Sequence, residues 1–591
     1  MGAHRARQWQ AAVASGALLA LALLAPAGAF AACHLKVAEL PVHMAGTRAI
    51  AMVGINDQQV PMMVDTGAFY SFLNESTAAQ LGLSAHREPG LAVTGITGRV
   101  NVRVATVDRV SLSKGTIPQV DFIVGGNEVG SGAKGVIGRN LLNMADTEYD
   151  LAHGMIRFVF PQGDCENANM AYWADDPAMV AKVDLLSDND RTFNRQPLRA
   201  KARLNGRNLD VEFDSGATTT VTLDAAIKAG VHEKDMTPDG QMYGAGKGTA
   251  RAWTASFDSF ALGDERIDHS RLAVGDFDMG EAEVLLGVDF FLSHHIYVSD
   301  AQRTMYFTYN GGPVFAQNKA ARPSAVAAAA ADGAQALDAD AYLRRGAASH
   351  ARGELDAALA DLDRACALAP GDAACRAERA SVRQDLKQSG AALADLDAAL
   401  ELDPGLAAPR IQRAWLRYQA DATDAALDDL AELDRTLPPQ SQIRASMALL
   451  YVDMDQPARA LPQLDHWIRF HPHDIGLAGA YNSRCWARVL LGVEMDKALA
   501  DCDAAVGLGG DKAAYVDSRA WVRVRMNEWQ QAKSDFDAAL KDSPEFASSL
   551  YGRSIAQARL GNVEASKADL AAARERSAGL VQAFEKQGLK L

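Results

Sequence analysis

The sequence predicts a multidomain chain, with an all-β, two-lobed N-terminal half and an all-α repeat solenoid as the C-terminal half. Three observations carry that prediction. The chain has 591 residues, more than one hydrophobic core accommodates. Residues from roughly 50–158 recur at 199–307 with a constant offset of 149. From about 339 a second repetition takes over, with a 34-residue step and the apolar period of helices.

In the first half the offset carries Asn56 onto Asn205, Asp65 onto Asp214, Gly67 onto Gly216 and Ala68 onto Ala217. It also carries Gly95 onto Gly244, Gly138 onto Gly287 and Phe158 onto Phe307. Each copy alternates short apolar runs with turn residues, such as Val60 to Val64 and Leu209 to Phe213, the mark of small β units. The expected lobes are 45–165 and 190–310. Gly311-Gly312-Pro313 and the Ala-rich stretch Pro323 to Ala331 then read as a linker over 311–336, across which few contacts are expected.

The second repetition places a small residue at Ala358, Ala392, Ala426, Ala460, Ala498 and Ala532. A bulkier one follows four positions later, at Leu362, Leu396, Leu430, Leu464, Cys502 and Phe536. Prolines 370, 404, 438, 472 and 544 close units of this kind. Two antiparallel helices per unit need a small residue where they cross, and Pro stops the second helix. This order resembles the tetratricopeptide repeat, over about 339–576 as seven units, with a capping helix expected from Leu580 to Leu591 and the whole array at 339–591. Trp415, Trp467, Trp486, Trp521 and Trp529 fall in it and read as packing residues.

The chemistry-bearing motifs lie in the lobes. Val64-Asp65-Thr66-Gly67-Ala68 and Phe213-Asp214-Ser215-Gly216-Ala217 each follow an apolar run. Each is completed by an apolar-apolar-Gly strand ending 73 residues after its Asp, at Gly138 and at Gly287. One Asp-Thr/Ser-Gly is weak, but two complete copies at identical spacing are specific. Here the chain resembles the aspartic peptidases, the retropepsin-like group most closely, over about 45–310. The resemblance implies Asp65 and Asp214 as a catalytic pair meeting across a pseudo-two-fold axis. Thr66, Gly67, Ser215 and Gly216 would lock the two loops together, with glycine permitting close approach. Two adjacent carboxyls cannot both ionise, so they share a proton. The ionised member can activate a water while the protonated one polarises the scissile carbonyl. By position, Gly95 and Thr97 in one copy and Tyr243, Gly244 and Gly246 in the other match the family's flap, which closes over substrate. No cofactor or metal is expected. The competing reading is a degenerate peptidase fold that binds peptides without cutting them.

The first 31 residues read as an export signal: Arg5 and Arg7, an apolar stretch from Ala17 to Ala25, then Ala29-Phe30-Ala31 as a cleavage site. A second reading makes Phe30-Ala31-Ala32-Cys33 a lipobox with Cys33 lipidated. The apolar stretch is too short to span a bilayer, and no transmembrane segment is expected in the mature chain. Export permits disulfides, and the six cysteines suggest Cys485 with Cys502, Cys366 with Cys375 and Cys33 with Cys165. A net charge of −15 without any Lys/Arg run excludes a nucleic-acid footprint. The expected partners are a peptide or protein substrate and an envelope protein on the repeat groove, for a periplasmic or secreted chain.

Overall fold

A computed structural model describes residues 33–95, 98–125, 132–186, 197–242, 250–315, 337–472, 474, 476–509 and 512–590. The export signal read over 1–31 lies outside them. Lobe 1 is built from β1 (His34–Ala45), β2 (Arg48–Ile55), β3 (Gln58–Val64), β4 (Phe72–Leu73), β5 (His86–Gly95), β6 (Gly98–Leu112), β7 (Gly115–Val124), β8 (Gly135–Ile137), β9 (Asp146–Asp150) and β10 (Met155–Gln162). After β11 (Ala181–Asp184), lobe 2 repeats the plan with β12 (Arg199–Leu204), β13 (Arg207–Phe213), β14 (Thr220–Thr222), β15 (Thr237–Met242), β16 (Ala250–Leu262), β17 (Glu265–Gly275), β18 (Val284–Leu286), β19 (His294–Ser299) and β20 (Thr304–Tyr309). Each lobe closes on itself, β2 pairing with β6 and β12 with β16. The β2–β3 and β12–β13 hairpins turn through left-handed backbone at Asn56-Asp57 and Asn205-Gly206, which suits Asn and Gly. Both asparagines then accept a backbone N–H from the neighbouring strand, Asn56 from Arg109 (3.0 Å) and Asn205 from Ser259 (3.2 Å).

A third sheet joins the lobes. Its order is β11-β20-β19-β9-β10-β1, and Ile296 pairs with Tyr149 where β19 of lobe 2 meets β9 of lobe 1. The outer strands of this sheet, β1 and β11, lie before the lobe starts expected at 45 and 190. They belong with the lobes because β1 pairs first with β10 and then, from Val42, with β2. Val314 and Phe315 are likewise buried against lobe 2, Phe315 packing edge-on to Phe260, so the first residues of the stretch read as linker are part of the core.

The C-terminal half is all helix. Its seven pairs are Ala339–Ala351 with Leu355–Leu368, Ala373–Asp385 with Ser389–Leu402, Ala407–Gln419 with Thr423–Thr436, Ile443–Asp453 with Pro457–Phe470, Leu477–Leu491 with Met495–Leu508, Lys512–Arg525 with Trp529–Asp542, and Ala547–Arg559 with Val563–Lys586. The recurring alanines from Ala358 to Ala532 are all fully buried where the helices cross. A Cβ on Gly552 would lie 2.1 Å from the Phe536 ring, which is the same demand for smallness.

A ladder of ion pairs runs along the array. Arg345, Arg379, Arg413, Arg519 and Arg553 on first helices each grip the Asp sixteen residues later on their own second helix: Asp361, Asp395, Asp429, Asp535 and Asp569. Arg484 grips Asp501 likewise, at a spacing of seventeen. From the second pair on, these arginines also reach an Asp of the preceding pair, as Arg379 does Asp363 at 2.9 Å. In the fourth pair Met447 stands at the ladder position, and Arg444 instead pairs with Gln463 and Asp434.

The array does not hang free of the lobes, contrary to the expectation of few contacts across the linker. One continuous apolar core runs through both lobes and takes in Ala347 and Ala348 of the first array helix. A Cβ on Gly154 would lie 2.6 Å from Cβ of Arg344, so the backbone there is against that helix. His43 of β1 lies 3.6 Å from Glu378 of the second pair. Burial would raise the Glu378 carboxyl, but His350 and His43 outweigh it and hold the pKa at about 2.

Candidate active site

Each sequence motif becomes a tight loop at a strand end. β3 delivers Asp65 and β13 delivers Asp214, and the apolar-apolar-Gly strands β8 and β18 run parallel beside them. Asp65 N–H donates to the Ile137 carbonyl (3.0 Å) and Asp214 N–H to that of Leu286 (2.9 Å). Gly138 and Gly287 end those strands because nothing larger fits. A Cβ on Gly138 would lie 2.4 Å from the Tyr70 carbonyl, and one on Gly287 2.3 Å from Thr219 N.

The two loops lock by exchange of hydroxyls. Thr66 Oγ1 donates to the Phe213 carbonyl (2.7 Å) and accepts from Ser215 N–H (2.9 Å). Ser215 Oγ donates to the Val64 carbonyl (3.1 Å) and accepts from Thr66 N–H (3.1 Å). All four bonds cross between lobes and are buried, where an unpaired polar group would be costly. Gly67 and Gly216 face the opposite carboxyls. A Cβ on Gly67 would sit 2.4 Å from Asp214 Cγ, and one on Gly216 2.5 Å from Asp65 Cγ.

Each carboxyl thus lies against the opposite loop, close enough to act on the other. A backbone N–H holds one oxygen of each, Ala68 N–H donating to Asp65 Oδ1 and Gly216 N–H to Asp214 Oδ1, both at 2.9 Å. Burial raises both acids. The Asp214 charge and the shared proton push Asp65 further, well above the carboxylate range. At Asp214 the Asp65 carboxyl, the Gly216 N–H and the Arg139 cation oppose burial without cancelling it.

Two sets of residues escaped the sequence reading. Beneath each loop a hydroxyl and a polar side chain bind the Gly strand. Ser71 and Asn140 do so in lobe 1, Ser71 N and Oγ each donating to Asn140 Oδ1 at 2.7 Å. Thr219 and Asp289 do so in lobe 2, Thr219 Oγ1 donating to Asp289 Oδ1 at 2.6 Å. The same hydroxyls accept from Gly138 N–H (3.0 Å) and Gly287 N–H (2.9 Å). The second set is unsymmetrical. Arg139, buried directly after Gly138, reaches across to Glu212 of lobe 2 (3.4 Å). Burial lowers its pKa, and Glu212, Asp65 and Asp214 oppose that.

Of the expected flap residues, Gly95 ends β5 and pairs with Gly98 at the tip of the β5–β6 hairpin. Thr97, Tyr243, Gly244 and Gly246 lie outside the described residues, although Met242 and Ala250 pair on either side of the second segment. The cysteines form three disulfides, Cys33–Cys165, Cys366–Cys375 and Cys485–Cys502. A Cys33 sulfur bonded to Cys165 has no thiol for a lipid, which goes against the lipobox reading.

The model of the aspartyl protease family matches this chain twice, at residues 51–141 and 200–290. The chain is thus two tandem aspartic-peptidase-like lobes followed by a tetratricopeptide-repeat solenoid. No curated protein matches it. Solved structures similar to it include YrrB, a tetratricopeptide-repeat protein with an unusual peptide-binding site, at 19% identity and a TM-score of 0.29, covering 32% of this chain and 97% of that one. A tetratricopeptide-repeat protein from Parabacteroides merdae is 15% identical with a TM-score of 0.34, covering 43% and 99%. PilF of Pseudomonas aeruginosa is 20% identical with a TM-score of 0.31, covering 36% and 94%. Among the described residues no helix is long and apolar enough to cross a membrane.

Proposed function

We propose that the chain is an exported aspartic endopeptidase whose pair, Asp65 and Asp214, works within one chain. The observation that carries this is the pair of carboxyls, each against the opposite loop's glycine, in matched loops held by reciprocal hydroxyls. Burial and the neighbouring charge raise Asp65 well above the carboxylate range, so in this reading Asp65 holds the proton and Asp214 the charge. Asp214 then takes a proton from water as its oxygen attacks the peptide carbonyl carbon, and Asp65 gives its proton to the carbonyl oxygen. Collapse of the tetrahedral diol breaks the C–N bond, the amine leaves with the proton held by Asp214, and Asp65 recovers its own. The repeat array serves as a protein- or peptide-binding module. The signal-like first 31 residues and three disulfides support an oxidising, extracytoplasmic site of action.

The test is incubation of the purified chain with a mixed peptide library, wild type beside Asp65→Asn. Cleavage that disappears in the variant is expected. Cleavage that survives removes the dyad, and no cleavage by the wild type leaves a peptide-binding scaffold.

A further inference from the structure

Two positions past the ladder residue, the first helices of the last five pairs carry Trp415, Leu449, Trp486, Trp521 and Ile555. Equal register puts these side chains in one stripe on the face built from first helices, the concave side of such a solenoid. Trp415 and Leu449 are 42% and 54% exposed, while Trp521 is fully buried. Trp521 is covered by Phe536 and Tyr551 of the array and, in addition, by the chain's own C-terminus.

The last helix breaks at Ser577, where the backbone leaves helical geometry (φ −158°, ψ 89°). The segment 578–590 then turns back over the first helices. Phe584 meets Trp521 edge-on, with ring centroids 5.0 Å apart, and lies 5.5 Å from Trp486 and 6.2 Å from Tyr551. One ring thus contacts three successive pairs. Val581 and Leu589 are buried with it, whereas Gln582, Ala583, Glu585 and Lys586 face solvent. Arg525 donates to the Gln587 carbonyl (2.9 Å) and Tyr551 to that of Leu589 (3.0 Å). Gln587 Nε2 donates to Asp455 (3.2 Å), at the turn of the fourth pair. A helix that merely closed the solenoid would cover the seventh pair alone.

We propose that residues 578–590 are an intramolecular ligand seated in the groove, and that its external partner is a polypeptide segment of the same chemistry. That segment is short and amphipathic, with an aromatic ring for the site of Phe584, apolar neighbours and main-chain carbonyls for Arg525 and Tyr551. The tail is displaceable because it buries three large side chains and leaves Trp415 and Leu449 half-exposed. A longer segment of the same kind covers those two as well, and so outcompetes it. The inference rests on the array being the partner-binding module and is independent of the dyad.

A fluorescently labelled peptide with the sequence of residues 577–591 tests it on the full chain. Phe584→Ala weakens the chain's own tail and leaves the groove intact. The peptide is expected to bind this variant at least tenfold tighter than wild type, and a peptide bearing the same substitution should bind neither. In the intact wild type, amides of 578–590 should exchange hydrogen at least tenfold faster than those of Lys512–Arg525 and Ala547–Arg559. Equal affinity for both chains overturns the intramolecular ligand while leaving the array a peptide binder. Exchange of 578–590 in step with those helices, which needs no variant to fold, shows a fixed cap and overturns it too.

Discussion

Lobe 1 and lobe 2 share the devices that hold the backbone at their meeting point and differ in what charges it. Both have the tight glycines, the exchanged hydroxyls and the polar pair beneath the Gly strand, at Ser71 and Asn140 or Thr219 and Asp289. Where lobe 1 has Arg139, lobe 2 has the apolar Val288, and where lobe 2 has Glu212, lobe 1 has Met63. The scaffold is therefore duplicated and the electrostatics are not. Both carboxyls act on that single cation, which favours the one negative charge they share.

The sharpest way to break the comparison is to remove each acid in turn. Asp65→Asn and Asp214→Asn should each lower turnover at least about 10³-fold, and the double variant should be less than about tenfold worse, as for groups acting as a unit. Mixing the single variants should restore nothing, and recovery would mean that lobes of different chains pair. Gly67→Ala and Gly216→Ala come next. Each places a methyl against the opposite carboxyl, so each should cost about 10²-fold in turnover by displacing it. Unequal losses, compared by peptide hydrolysis, would end the equivalence of the loops.

A third measurement keeps array stability from being mistaken for dyad titration. Asp517 is buried in the sixth pair, and burial lifts it to about 7 although Ser549 and Ser548 donate to it. An acid raised on folding favours the native state when protonated. Its contribution is therefore full below the unfolded pKa near 4 and lost as pH rises to about 7. Asp517→Asn should stabilise the chain by about 2 kcal/mol at pH 8 and change little at pH 4, read from thermal melts. The smallest effect concerns the asymmetry itself. Arg139→Met with Glu212→Gln removes the cation without stranding its partner, so Asp214 rises. The acid limb of kcat/KM should then move up by about 0.5–1 pH unit. A limb that stays in place would show that Arg139 does not bias the pair.

Much of this was legible in the sequence because it is duplicated. The 149-residue offset located both acids, their glycines and the Gly strands. It could not find Thr219 as the counterpart of Ser71, since these stand 148 apart: the loop after Ala217 is one residue shorter than that after Ala68. Arg139 and Glu212 were invisible for a different reason. Neither repeats, and only the facing of two lobes brings together residues 73 apart in sequence. The joining sheet was hidden too, because β9 and β19 read as short strands of separate lobes until their pairing is seen. The array declared itself through alanines and prolines. Its ladder was there in the 34-residue recurrence of Arg345, Arg379 and Arg413, but charged residues on helices pass for solvated surface until their partners are known.

The sheet that joins the lobes also settles a matter of mass action. A site divided between separate chains exists only in proportion to the dimer, and dilution empties it. Here β9 and β19 are hydrogen-bonded within one polypeptide, so the second half-site is always present at the effective concentration set by the tether. In this arrangement the pair of acids needs no second chain, so dilution should not empty it.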